Sequence, residues 1–303
     1  MDCDPGHDDA FALIVASKFA DVLGVTTVAG NAPLSLTTKN ARIVLDLCGS
    51  SAPLHSGAGR PLVAEPIHAA YVHGESGMDG AKLPEPSRPA DGTDAVHFII
   101  DTVRSNKGLW LVPTGPLTNI ALALRTAPDL VDKIAGISIM GGGRFGNRTA
   151  TAEFNIWCDP EAAATVFDSG AKIIMSGLHL THQIMATPKR IEMVRSAHET
   201  VGPMLAGLLE FFSKMYKSLH DDFAGAPLHD VCAVLALTHP ELFTASEKHV
   251  AVEIDGTLTR GMTVIDDRHV LSRTKVNTRV LETIDADAAF AIIVDAIRAC
   301  PQR

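Results

Sequence analysis

The chain opens MDCDPGHDDAFALIVASKF, and four aspartates, Asp2, Asp4, Asp8 and Asp9, stand immediately before an almost wholly apolar run. Like charges held 4 Å apart repel by about 1 kcal/mol per pair even in bulk water, so the cluster needs a physical reason. Acids in the first turn of a helix gain about 0.3–1 kcal/mol from its dipole, and Pro5-Gly6 makes a turn. That accounts for Asp8 and Asp9. It leaves out Asp4, which faces them across the turn. Carboxylates that converge on one point are tolerated around a hard cation, and an all-oxygen ligand set selects Ca2+ or Mg2+.

A second acid stands far away in sequence, in LHDVCAVLAL, where His229 and Asp230 open another apolar run. Asp230 alone reads as a first-turn acid and His229 as a structural imidazole. If Asp230 completes the carboxylate shell, His229 is held beside the metal. An ordinary histidine pKa of about 6.5 lets it pass a proton near neutral pH.

The third signal is AEFN at 152–155, with Asn147 upstream and Gly141 to Gly143 before it. Glu153, Asn155 and Asn147 mix donors and acceptors in a way that suits vicinal hydroxyls, which means a sugar. The glycines do not form the dinucleotide pattern G-x-G-x-x-G, and no GxxxxGK[ST] occurs, so a phosphate-bearing cofactor is not expected. His55, His68, His97, His179 and His182 show no metal-ligand spacing. The stripe LLEFFSKMY reads as the core face of a helix, and His220-Asp221-Asp222 as a solvated helix end close to the His229-Asp230 pair.

These loops need elements to hold them. Helical and extended patterns alternate: a helix over DAFALIVASKF, a strand at Val22 to Ala29, and a helix over LSLTTKNARIVLDLCG with Ser35 as cap and Gly49 as its end. A helix starting at Thr93 leads to a strand at Leu109 to Pro113, a helix over LTNIALALRTA and the strand GISIM. Then comes DPEAAATVFDSG, with Asp159 at N-cap, Pro160 at N1 and Gly170 at C′. A strand at Lys172 to Gly177 precedes the helix TPKRIEMVRSAH and a long amphipathic helix from Val201 to Leu219. The last third reads as hairpin-like strands, KHVAVEID, GMTVID and TKVNTRV, closed by a helix over Ala286 to Ala299.

Such alternation predicts an α/β fold: a mostly parallel, Rossmann-like open sheet with helices on both faces and a small antiparallel extension near the C-terminus. No linker or repeat interrupts it, so one domain over 1–303 is expected. Ligands of such sheets bind beyond the carboxyl ends of the strands, where DCDPGHDD, AGN, PTGPLTN and GGGRFGNRTATAEFN all fall.

Composition bounds the rest. Apolar residues make up 46% and charged residues 20% of the 303, a globular balance. With 26 Lys+Arg against 35 Asp+Glu the net charge is −9, which argues against nucleic acid and anionic membrane partners. The five cysteines lack CxxC spacing and read as reduced thiols. No signal-peptide pattern precedes the first motif, and no apolar run reaches about 18 residues without a charge, so a cytoplasmic protein is expected.

Together DCDPGHDDA, VAGN, HGESGM, LVPTGPLTNIA, MGGG, AEFN with DPEAA, and LHDVCA occur in the order and spacing of the nucleoside hydrolases. Over essentially its whole length the chain most resembles their inosine–uridine-preferring branch. That resemblance implies Ca2+-dependent hydrolysis of the N-glycosidic bond of ribonucleosides, of the inosine/uridine or pyrimidine type, to free base and ribose in nucleoside salvage. It implies Ca2+ ligation by Asp4, Asp9, the backbone carbonyl of Thr114 and Asp230, with Asp4 also the general base. Asp8, Asn31, Asn147, Glu153 and Asn155 would grip the ribose, Met140 would lie along it, and His73 and Phe154 would line the pocket. His229 would assist the departing base, Asp2 would support the cluster from behind, and the assembly would be a homodimer or homotetramer.

Members of that family carry an apolar strand before the first aspartate. Here Met1 precedes it directly, so either the true start lies upstream or the sheet lacks most of a central strand. Two other readings compete. A catalytically impaired nucleoside-binding protein would keep the same grip without turnover. A haloacid-dehalogenase-like phosphatase would use DCD as its DxD, but Gly6 stands where that pattern wants Thr or Val, and no GDxxxD follows.

Overall fold

The computed structural model describes residues 1–219, 222–268 and 275–302. Short apolar runs rich in Val, Ile and Thr become strands: β1 (Asp2–Cys3), β2 (Val25–Thr27), β3 (Leu54–Ser56), β4 (Trp110–Leu111), β5 (Gly136–Met140), β6 (Ile173–Ser176), β7 (Phe243–Lys248), β8 (Val250–Val252), β9 (Thr263–Ile265) and β10 (Thr278–Ile284). Strands β1-β2-β3 are parallel neighbours, and β4-β5-β6-β10-β7 form a second set in which only β7 is antiparallel. The two sets meet at Asp2. Its N–H donates to the Val112 carbonyl at 3.0 Å, and its carbonyl accepts from the Thr114 N–H at 2.8 Å. The sheet therefore runs β3-β2-β1-β4-β5-β6-β10-β7, the mostly parallel open sheet expected. The β7–β10 pairing and the separate β8–β9 hairpin form the antiparallel extension.

Longer periodic segments become helices α1 (His7–Phe19), α2 (Leu34–Leu47), α3 (Ala70–His73), α4 (Ala95–Ser105), α5 (Thr118–Thr126), α6 (Phe154–Cys158), α7 (Pro160–Phe167), α8 (Leu178–Thr181), α9 (Pro188–Arg195), α10 (Val201–Leu219), α11 (Val231–Thr238) and α12 (Ala286–Arg298). Two cores result. One gathers Leu13, Val44, Leu209, Leu235 and Phe290 from α1, α2, α10, α11 and α12. The other gathers Val103, Ile120, Ile139 and Val166 from α4, α5, β5 and α7. Because α1 is buried continuously from His7 to Ala16, its sequence is apolar on every side rather than striped.

The chain winds outward through β2 and β3, then returns to place β4 beside β1. Reversal of strand order opens a crevice at the carboxyl ends of β1 and β4, the place where such sheets bind ligands.

Two caps differ from expectation. Helix α2 is capped by Pro33, whose carbonyl accepts from Leu36 and Thr37 N–H, and Ser35 falls inside the first turn. Proline's fixed φ suits this entry better than a serine one turn late. Helix α4 is capped by Asp94 rather than Thr93. Asp159 and Pro160 start α7 as expected, and Gly170, at φ +84°, lies two residues beyond the cap at Asp168.

The central strand β1 is two residues long. Beside Met1, between the entry to β2 and β4, lies an apolar cavity of about 700 Å³ lined by Phe19, Leu23, Phe98, Trp110 and Leu237 among others. The Met1 amine donates to the Gly24 carbonyl at 2.8 Å, and Thr26 N–H donates to the Met1 carbonyl at 2.8 Å, so β1 keeps its register despite its length.

Candidate active site

The turn after β1 delivers the aspartates. Gly6 caps α1, its N–H donating to Asp9 Oδ2 at 2.9 Å, so Asp8 and Asp9 sit in the first turn. From the other end of the sequence, Asp230 caps α11. Both helices aim their N-termini at the crevice, and their dipoles favour negative charge there. Asp8, Asp9 and Asp230 are buried and place carboxylate oxygens within 4.8 Å of one another, a group that can hold a metal ion.

Thr114, just beyond β4, ties into the same cluster. Its hydroxyl donates to Asp9 Oδ1 at 2.8 Å, and its carbonyl accepts from Asn155 Nδ2 at 2.9 Å. Asp4 lies behind. Its Oδ2 accepts from the Asn31 N–H at 2.7 Å, while Oδ1 is buried without a hydrogen-bond partner. Gly30 and Gly115 make this possible. A Cβ on Gly30 would run into Asp4 Oδ2, and one on Gly115 would lie 2.5 Å from Oδ1. Asp2, by contrast, holds Thr26 Oγ1 at 2.6 Å and Asn119 Nδ2 at 2.8 Å, which is the supporting role expected of it.

Burial pushes every carboxyl of this cluster upward, and repulsion from neighbouring acids adds to it at Asp4, Asp8 and Asp230. Asp4 and Asp230 rise well above the usual range, Asp9 rises, and Asp8 reaches about 8. No lysine or arginine stands among the described residues lining the crevice. An orphaned carboxylate oxygen, an all-oxygen donor set and a cradle that only glycine permits all fit a hard dication, which would favour the ionised acids.

The cavity in front of these acids is smaller than the one beside Met1, about 60 Å³, yet the candidate residues gather around it. Asp8, Asn31, His73, Thr114, Met140, Asn147, Glu153, Phe154, Asn155, His229 and Asp230 all line it. Asp4 and Asp9 stand just behind that wall. Asn147 Oδ1 accepts from the Phe154 N–H at 2.9 Å. Glu153 caps α6, accepting from Asn155 and Ile156 N–H, and also takes the Gly142 N–H at 2.9 Å. The glycine loop and the AEFN segment are thereby locked to one carboxyl group, and burial outweighs these three donors to raise its pKa to about 7.

On the far wall, His229 differs from expectation. It is fully buried, which drives its pKa well below the ordinary value, so the ring is neutral at physiological pH. Its Nδ1 meets Thr181 Oγ1 at 2.7 Å and its Nε2 meets Tyr216 Oη at 2.8 Å. Tyr216 and Phe212 complete this wall. Both sit on the LLEFFSKMY stripe and do belong to the core, but they also line the cavity. The His182 ring, set aside for lack of spacing, lies 5.6 Å from that of His229. His220 and Asp221 are outside the described residues, and Asp222 is exposed.

Acids at the switch point of a doubly wound sheet, facing amides on one wall and a hydroxyl–imidazole pair on the other, lay out a hydrolytic α/β enzyme. Known proteins agree. The family model described as inosine-uridine preferring nucleoside hydrolase matches residues 1–291. The pyrimidine-specific ribonucleoside hydrolase RihA of Escherichia coli K12 is 42% identical over 303 residues, covering 98% of this chain and 97% of that protein. A purine-preferring ribonucleoside hydrolase from Gardnerella vaginalis superposes with a TM-score of 0.91 at 32% identity, covering 98% and 96%. A plant nucleoside hydrolase superposes at 0.89 and 30%, covering 98% and 97%. The chain belongs to the inosine-uridine preferring nucleoside hydrolase family and is an enzyme that hydrolyses N-glycosyl bonds of ribonucleosides.

Proposed function

We propose that the chain is a Ca2+-dependent nucleoside N-ribohydrolase of the inosine/uridine or pyrimidine type, releasing free base and ribose in cytoplasmic nucleoside salvage. It works as one domain over 1–303 within a homodimer or homotetramer. The observation that carries this reading is the convergence of Asp9 and Asp230 from opposite ends of the sequence, with Asp4 Oδ1 left free behind them. Among the described residues, no helix is long and apolar enough to cross a membrane, in keeping with the cytoplasmic reading. The pyrimidine leaning rests on the E. coli relative and on the absence of tryptophan from the cavity wall.

Asp4, Asp9, Asp230 and the Thr114 carbonyl hold the ion, and Asp8 faces the ribose. When bound, Ca2+ acidifies water and fixes hydroxyl ligands. Asp4 Oδ1 takes the proton of the attacking water. Asn31, Asn147, Glu153 and Asn155 orient the sugar, with Met140 and Phe154 closing its apolar side and His73 the opposite wall. As the glycosidic bond breaks, the ring gains oxocarbenium character, which the buried carboxylates stabilise. The departing base accumulates negative charge and takes the proton shared between Tyr216 Oη and His229 Nε2, a contribution typically about 10²–10⁴-fold.

Steady-state assays of uridine, cytidine, inosine and adenosine test this, run with Ca2+ and after exhaustive chelation. We expect ribose release with Ca2+, loss on chelation and recovery on re-addition. Asp9→Ala should lose both bound calcium and turnover. Full activity of that variant in chelator would refute the assignment, and tight uridine binding without ribose release would favour the impaired-binder alternative.

A further inference from the structure

Asn119 sits in the first turn of α5, the helix that follows the Thr114 turn, and is fully buried. Its amide reaches three other segments. Nδ2 donates to the Thr27 carbonyl at 3.0 Å, at the end of β2, and to Asp2 Oδ1 at 2.8 Å, in β1. Oδ1 accepts from the Ala58 N–H at 2.9 Å, just beyond β3. A backbone carbonyl only accepts and a backbone N–H only donates, so Thr27 and Ala58 fix which end of the amide is nitrogen. Asp2 Oδ1 accepts with or without a proton on Oδ2. Gly57 leaves the amide its room, since a Cβ there would press on Asn119 Oδ1.

The bond to Asp2 closes a ring. Asp2 takes the Thr114 N–H on its backbone carbonyl at 2.8 Å and the Asn119 amide on its side chain. The turn from Thr114 to Asn119 is thereby pinned at both ends to one residue of β1. Thr26 Oγ1 donates to the same Asp2 Oδ1 at 2.6 Å and ties the ring to β2. Within the turn, Gly115 packs against Asp4, and the Thr114 hydroxyl donates to Asp9 Oδ1 at 2.8 Å. Asn119 itself does not line the substrate cavity.

We propose that Asn119 is a positioning residue: by pinning the Thr114 turn to Asp2, it sets the Thr114 carbonyl and Asp4 at the spacing that the ion requires. It touches neither ion nor substrate and acts through Asp2 and the turn. Partners of this kind hold ligands in orientation, and losing one typically weakens metal binding by about 10–100-fold. This deepens the ribohydrolase reading and rests on it for the presence of Ca2+.

The test is calorimetric titration of Ca2+ into the chelator-stripped full chain, well below the melting temperature of each variant. In Asn119→Ala the Kd should rise by about 10–100-fold. Gly57→Ala, which crowds the amide without deleting it, should raise the Kd by a smaller factor. Thr118→Val is the control. It loses the 2.6 Å bond from the neighbouring hydroxyl to Asp159, and should lower the melting temperature while leaving the Kd unchanged. An amide with a merely structural role would likewise lower the melting temperature and leave the Kd of the folded chain alone. A wild-type Kd in Asn119→Ala, or an equal rise in Thr118→Val, overturns the proposal. If Asn119→Ala does not fold, an unchanged Kd in Gly57→Ala overturns it. A wild type that takes up no Ca2+ overturns the ion site and this proposal with it. Normal uptake by the wild type and unaltered variants overturn the positioning role alone.

Discussion

Asp4 shows how a single carboxylate is made useful by what surrounds it. One oxygen is fixed by the Asn31 N–H, the other is left bare, and two glycines provide the space. Gly115→Ala would push a methyl group to 2.5 Å from Asp4 Oδ1. Misplacing a reacting group by about 1 Å costs on the order of 10²-fold, so kcat for uridine should fall by about that factor, with the loss of thermal stability that overpacking a buried site brings. Wild-type kcat in that variant would show that Asp4 needs no such cradle. At this scale the sequence was legible where chemistry leaves a local mark. Acids massed before an apolar run betrayed Asp4, Asp8 and Asp9, and a His-Asp pair betrayed Asp230. Tyr216 left none, because a tyrosine on an apolar stripe looks like any core residue. Only the fold brings it to His229.

Among the elements, α6 is five residues long, too short to stand on propensity, and Glu153 holds its start while tethering the glycine loop. Burial raises the Glu153 pKa from 4.5 to about 7. A raised carboxyl pKa favours folding below the unfolded value, and that contribution fades as pH climbs through the folded one. Glu153→Gln mimics the protonated form at every pH. Its melting temperature relative to wild type should therefore rise by a few degrees between pH 4.5 and 7 and level off above, as followed by differential scanning calorimetry. A difference independent of pH would mean that the Glu153 pKa is the same in the folded and unfolded chain. The expected order of helices and strands matches what is seen, since periodicity and Gly/Pro punctuation are local signals. The caps at Ser35 and Thr93 moved by one or two residues because Pro33 and Asp94 compete for the same turns.

For the whole molecule, binding of an ion to a cluster built from both ends of the chain stabilises the fold as well as the site. Ligand that binds only the folded state adds about 2.7 kcal/mol at a hundred times its Kd, and chains somewhat smaller than this one gain roughly 2–4 °C per kcal/mol. Saturating Ca2+ should thus raise the melting temperature by several degrees over the chelated protein, and Asp230→Asn should abolish the increment. An unchanged melting temperature on adding Ca2+ to the wild type would count against a folded-state ion site.

The cleft beside Met1 leaves Trp110 half-buried on its wall, in a lining shared with Phe19 and Phe98. A small neutral quencher such as acrylamide should reach that indole and dim its emission without unfolding the chain. Trp110 opens β4, which leads through Val112 to Thr114 beside the acids, so its emission should also shift when Ca2+ is added to the chelated protein and stay put in Asp230→Asn.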